Sequence, residues 1–127
     1  MSSSPFKGRK GFSRLVFATR NSLAGLRATW RSEAAFRQEV VVGMLLISLA
    51  TGLARSALEL IVLIGSVLIV WVVELLNSAL EAVCDAVSLE HQPLLGRAKD
   101  MGSAAVLVSL AGVVLAWGGV IASRLFW

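Results

Sequence analysis

The sequence predicts an all-α membrane protein, with an N-terminal amphipathic surface helix followed by three transmembrane helices. Three observations carry this reading. The 127 residues are 57% hydrophobic at a mean hydropathy of +0.79, well outside the range of an ordinary soluble domain. Three long, largely apolar stretches follow residue 33. Ahead of them, apolar residues recur at helical spacing between arginines.

The chain divides on this basis into a mobile basic tail (1–11), the surface helix (12–32) and a three-span membrane domain (33–127). The opening MSSSPFKGRKG mixes Ser, Pro, Gly and basic residues, with almost nothing to bury. From Phe12 the pattern changes. Phe12, Leu15, Val16, Leu23, Leu26 and Trp30 recur at helical spacing with Thr19 the one polar step, and Arg14, Arg20, Arg27 and Arg31 fall between them. Such a helix lies in the membrane surface, apolar side down.

The first span is expected at about 34–54. Its charge-free part, Val40 to Ala54, is too short at about 1.5 Å per residue to cross a core of about 30 Å. The crossing therefore takes in part of AAFRQE. Arg55 ends the run, and Ser56-Ala-Leu-Glu59 has the spacing of a capping box that opens the next helix. That second span, 57–86, is apolar through Val73 and then carries Glu74, Asn77, Ser78, Glu81 and Asp85. SLEHQPLLGRAKD follows as a polar loop with Pro93 and Gly96, and separates it from an uncharged third span, 101–123.

Charge gives the orientation. Of 12 Lys and Arg, most lie before the first apolar run, and Arg97 and Lys99 lie in the second loop. The amino terminus and second loop are thus expected in the cytoplasm and the carboxyl terminus on the far side of the membrane. No cleavable signal pattern precedes the first span, which is expected to stay in the mature protein. A single Cys84 excludes an intramolecular disulfide and reads as packing. Ala105, Ser109, Gly112, Ala116 and Gly119 form a small-residue stripe that lets another helix approach. Three short helices enclose little, so an oligomer is expected.

The chemistry concentrates in the second span. Glu74, Asn77, Ser78, Glu81 and Asp85 share one helical face, while Leu75, Leu76, Leu80 and Val83 fill the others. A carboxylate near the bilayer centre costs at least about 2.5 kcal/mol, so this face needs a partner, a cation or water. Helix–helix glue is the plainer alternative, but glue uses amides and hydroxyls rather than two acids.

A second constellation, Glu33-Ala-Ala-Phe-Arg37-Gln38-Glu39, stands where the surface helix meets the first span. Glu33 and Arg37 suit an ordinary i,i+4 ion pair as well as a ligand set. Glu81 is expected on the same side of the membrane. Two carboxylates without a His or Cys cluster suit a hard, oxygen-seeking cation such as Mg²⁺. Gly96-Arg97-Ala98-Lys99-Asp100 sets a cation and free backbone N–H groups at the start of the third span, where they serve either as a phosphate site or as a positive-inside anchor. The lone His91 reads as a solvated residue. No GxxxxGK[ST], HRD, DFG or HExxH pattern is present. Trp30, Trp71, Trp117 and Trp127 read as interface or packing aromatics, and nothing suggests nucleic acid.

EAAFRQE at 33–39, VELLNSALEAVCD at 73–85 and GRAKDMGSAAVL at 96–107 strongly resemble the bacterial integral-membrane diacylglycerol kinase family, and the likeness covers nearly the whole chain. The resemblance implies ATP- and Mg²⁺-dependent phosphorylation of diacylglycerol to phosphatidic acid in the bacterial inner membrane, by a homotrimeric helical bundle with shared active sites. It implies Glu74 as the base that takes the lipid hydroxyl proton, Glu33 and Glu81 as the metal–ATP carboxylates, and Asn77 and Lys99 as catalytic partners. Arg14, Asn21, Glu90, His91, Gln92, Lys99 and Asp100 fall at nucleotide positions. Arg27, Trp30, Ala35, Phe36, Arg37, Gln38, Glu39 and Ser103 fall at lipid positions, with Glu74.

The chain departs from that pattern at Glu90-His91-Gln92-Pro93, where relatives place an aromatic before the histidine. Asn21 stands in place of a common Tyr, and Ala86 in place of a basic residue. Three alternatives stay open: undecaprenol kinase activity on the same acids, a small proton or cation transporter using Glu74 and Glu81 as relays, and a purely structural scaffold. The transporter reading leaves GRAKD and the surface helix unexplained. A purely structural scaffold would tolerate amides at all three glutamates.

Overall fold

A computed structural model describes residues 10–88, 90 and 92–127, so most of the expected tail, and His91, lie outside the described residues. The described chain is helical: α1 (Phe12–Ser32), α2 (Ala34–Leu53), α3 (Ala57–Val87) and α4 (Pro93–Phe126). α2, α3 and α4 are long and apolar enough to cross a membrane. α3 is the centre of the bundle, with α2 and α4 packed on it and α1 folded against α2 and α3.

Each turn has a local cause. α1 stops at Glu33, whose backbone is extended (φ −119°, ψ 105°). Arg37 reaches back from α2 and donates from Nη1 to the carbonyls of Trp30 (2.7 Å) and Arg31 (3.2 Å). It thereby satisfies acceptors the helix end leaves free. Among the described residues Glu33 forms no salt bridge with Arg37, because the guanidinium is spent on this cap. The ion-pair reading of Glu33 is thereby corrected.

Between α2 and α3 the expected capping box forms in altered shape. Ser56 Oγ accepts from Glu59 N at 3.1 Å, but Glu59 Oε2 accepts from Arg55 N at 2.7 Å rather than from Ser56. The same carboxylate is held by Arg124 at the end of α4, with Nη2 to Oε2 at 2.5 Å and Nη1 to Oε1 at 3.0 Å. Arg124 Nη2 also donates to Leu53 O at 2.9 Å. One bidentate guanidinium thus ties together the ends of three helices.

Beneath that lock, Ala50, Leu63 and Trp117 form the buried apolar core, flanked by Leu46, Ile64, Val113 and Val120. Elsewhere large apolar side chains such as Leu45, Ile61, Leu107 and Val114 lie exposed, as expected where lipid is the solvent. The small-residue stripe is divided: Ser109 is buried, whereas Gly112 and Gly119 have open space where a Cβ would stand.

α4 starts earlier than the third apolar stretch, at Pro93. Proline at N1 costs no hydrogen bond and supplies a helical φ, and Gly96 N donates to Gln92 O at 2.9 Å. Gly96 to Asp100 therefore lie inside a helix, and the Gly96 N–H is not free for phosphate as the sequence suggested. At 31 and 34 residues, α3 and α4 run to about 45–50 Å at the usual rise. They overshoot a hydrocarbon core of about 30 Å, and the surplus at the α1 side is polar.

Candidate active site

The acidic face of α3 meets a different neighbour at each turn. Glu74 is buried, only 6% exposed, with Glu39 of α2 as its side-chain neighbour. Asn77, one turn on, lies against Gly102 of α4, and its Nδ2 points to Glu81 Oε1 at 3.5 Å. Past the start of α2 the same face meets α1, so Ser78, Glu81 and Asp85 open onto a cleft between α1 and α3.

That cleft has a volume of about 790 Å³; α1 lines it with Ser22, Gly25, Thr29 and Ser32, and the α1–α2 junction adds Glu33. Glu33 and Glu81 thus share one space. Asp85 at its edge holds Lys99 Nζ at 2.7 Å, which brings a cation from α4 to an acidic cleft. Among the described residues no three His, Cys, Asp or Glu converge as a ligand group. Two oxygen donors facing one polar space nevertheless fit Mg²⁺, which takes one or two carboxylates when substrate phosphates complete its shell.

The opposite flank of α1 is apolar. Arg27, Trp30, Phe36, Trp71 and Leu75 line a groove of about 640 Å³. Gln38 and Glu39 border a second, mostly apolar cavity of about 390 Å³ between α2, α3 and α4. The residues expected at lipid positions are therefore spread over two hollows. Ala35 and Ser103 are exposed, and Arg37 is engaged with α1. Of the residues expected at nucleotide positions, Arg14 and Asn21 are exposed on α1 outside the cleft, as are Glu90, Gln92 and Asp100 near the start of α4. One chain brings together Glu33, Glu81, Asp85 and Lys99, but not these five.

The pattern of the family described as prokaryotic diacylglycerol kinase matches residues 20–121. The chain belongs to the prokaryotic diacylglycerol kinase family. It is 49% identical to a protein of Pseudomonas aeruginosa named diacylglycerol kinase, over 95% of this chain and 98% of that one. A diacylglycerol kinase of Escherichia coli is 50% identical over 84% of this chain and 88% of its own. One of Haemophilus influenzae is 43% identical over 87% and 94%.

In this kinase-family fold, two features escaped the sequence. Asp85 was visible on the acidic face, but its hold on Lys99 depends on α4 starting at Pro93. Glu39 was legible as a charge within a span, yet its place beside Glu74 is a contact between helices. The apolar stretch around each offered no signal for either.

Proposed function

We propose that this chain transfers the γ-phosphoryl group of ATP to the free hydroxyl of 1,2-diacylglycerol, giving phosphatidic acid and releasing ADP. The observation that carries this reading is its chain-long likeness to proteins named diacylglycerol kinase. The geometry supports it with a cleft bearing carboxylates and hydroxyls on one side of α1 and an apolar groove on the other. A reaction between a water-soluble nucleotide and a lipid alcohol needs both.

Phosphoryl transfer asks a protein mainly for positioning and charge stabilisation. In our reading Glu74 accepts the proton of the lipid hydroxyl as it attacks phosphorus. Asn77, between Glu74 and Glu81 on the same face, orients the base toward the phosphate. Glu33 and Glu81 hold Mg²⁺-ATP, and Lys99 exchanges its contact with Asp85 for phosphate oxygens. When bound, Mg²⁺ offsets the charge on the phosphate oxygens. The lipid hydroxyl enters at headgroup depth along α1, past Arg27, Trp30 and Phe36.

The polar end of the bundle faces the cytoplasm of a bacterial cell, where ATP is found, and the Arg124–Glu59 lock faces the far side. The nucleotide positions that one chain leaves apart, Arg14, Asn21, Glu90 and Asp100, are completed by neighbouring copies in a homotrimer. The reading is tested with purified protein in mixed micelles containing labelled ATP, Mg²⁺ and either dioleoylglycerol or undecaprenol. Label in dioleoylglycerol is expected; preference for undecaprenol, or label in neither lipid, contradicts it.

A further inference from the structure

We infer that Trp71 is a positioning residue for the transfer reaction: its indole, seated where Gly43 leaves a gap in α2, pins the Glu39 backbone and sets the Glu39 carboxyl beside Glu74. The inference rests on Glu74 being the base.

Two pairs of residues make the arrangement. Glu39 and Gly43 lie one turn apart on α2, and Trp71 and Glu74 lie one turn apart on α3, so each pair shares a face. Trp71 Nε1 donates to Glu39 O at 3.1 Å. That carbonyl lies inside a helix, so the indole uses its second lone pair. The approach depends on glycine, since a Cβ at position 43 would stand 2.6 Å from Trp71 Cζ2 and 2.8 Å from Trp71 Nε1.

The clamp lies at the level of that pairing. Glu39 and Glu74 are side-chain neighbours, and Glu39 Oε2 is buried without a hydrogen bond among the described residues. Two ionised carboxylates at that range repel, whereas a carboxyl and a carboxylate that share a proton attract, so the pair is sensitive to the distance at which α2 docks on α3. The indole bond fixes α2 against α3 at the level of the acids. Glu39 thereby helps set where the Glu74 carboxyl stands when it takes a proton, and the Trp71 N–H acts through the Glu39 backbone.

Trp71→Phe keeps an aromatic ring and removes the N–H. Trp117→Phe is its control, because Trp117 Nε1 is also buried but has no hydrogen-bond partner among the described residues. Wild-type enzyme, both variants, Glu39→Gln and the double variant Trp71→Phe/Glu39→Gln would be assayed for kcat and for KM toward ATP and dioleoylglycerol. Trp71→Phe is expected to lower kcat roughly tenfold through misplacement of the acids, with the KM for ATP unchanged. In the Glu39→Gln background it is expected to have no further effect, the non-additivity of residues acting through one another. Trp117→Phe is expected to keep the wild-type kcat.

Wild-type kcat in Trp71→Phe, or losses in the two single variants that simply multiply, overturns the inference. An inactive wild type would instead defeat the kinase reading itself. Should Trp71→Phe fail to fold, hydrogen exchange of the indole N–H groups in wild-type protein decides. Slow exchange at Trp71 is expected, and exchange as fast as at the exposed Trp127 overturns it.

Discussion

Asn77 on α3 and Gly102 on α4 share one space: the Asn77 amide oxygen lies where a Cβ on residue 102 would stand. That oxygen is buried and has no hydrogen-bond partner among the described residues, and the Asn77 amide nitrogen makes only the long contact to Glu81. Gly102→Ala must displace Asn77 or part the two helices. We expect it to destabilise the bundle by about 1–3 kcal/mol, the usual cost of overpacking, and to cut kcat. Thermal unfolding in micelles, read beside the lipid-kinase assay, checks both effects.

Chelation of divalent cations is expected to stop the reaction, and added Mg²⁺ to restore it. Glu33→Gln or Glu81→Gln removes one of two oxygen donors facing the cleft, so each raises the Mg²⁺ concentration needed for half-maximal rate and the KM for ATP. The KM for dioleoylglycerol should not change. Titrating Mg²⁺ at fixed ATP makes the comparison, and variants with the wild-type Mg²⁺ curve would remove these residues from the metal.

Asp85 holds Lys99 at the edge of the cleft. Both side chains are about half exposed, so the pair adds little to stability, and its value lies in placement. Asp85→Asn is expected to leave unfolding unchanged and to raise the KM for ATP, as measured by initial rates over an ATP series.

The fold was legible because lipid as solvent imposes long apolar helices: residues 40–54 and 57–73 announce themselves by hydropathy, and span length and helical pattern extend them to 34–54 and 57–86. The start of α4 was hidden, since Pro93, Gly96 and the charges of GRAKD read as loop. Proline at N1 and a helix projecting beyond the membrane accommodate all of them. Glu74 and Glu81 stood out because charge is costly in a span, and Glu33 through its place where the surface helix meets the first span and through the family resemblance. Their neighbours did not, because Glu39 beside Glu74 and Gly102 beneath Asn77 depend on how α2 and α4 dock on α3. One-dimensional periodicity carries no record of that docking.

At the opposite end of the bundle, Arg124→Met removes the tie between α4, Glu59 and the Leu53 carbonyl. A lower unfolding temperature is expected, with kcat unchanged at temperatures where the variant is folded. A matched loss of kcat there would mean that the two ends are coupled.

The most direct test of the account is label transfer from ATP to dioleoylglycerol by wild-type protein and Glu74→Gln, with folding of both followed by helical content and micelle gel filtration. The account requires rapid labelling by the wild type and a fall of more than about 10²-fold in the folded variant, the scale of a lost general base. Near-normal labelling by folded Glu74→Gln would contradict the assignment of Glu74, and with it the mechanism built around that carboxylate.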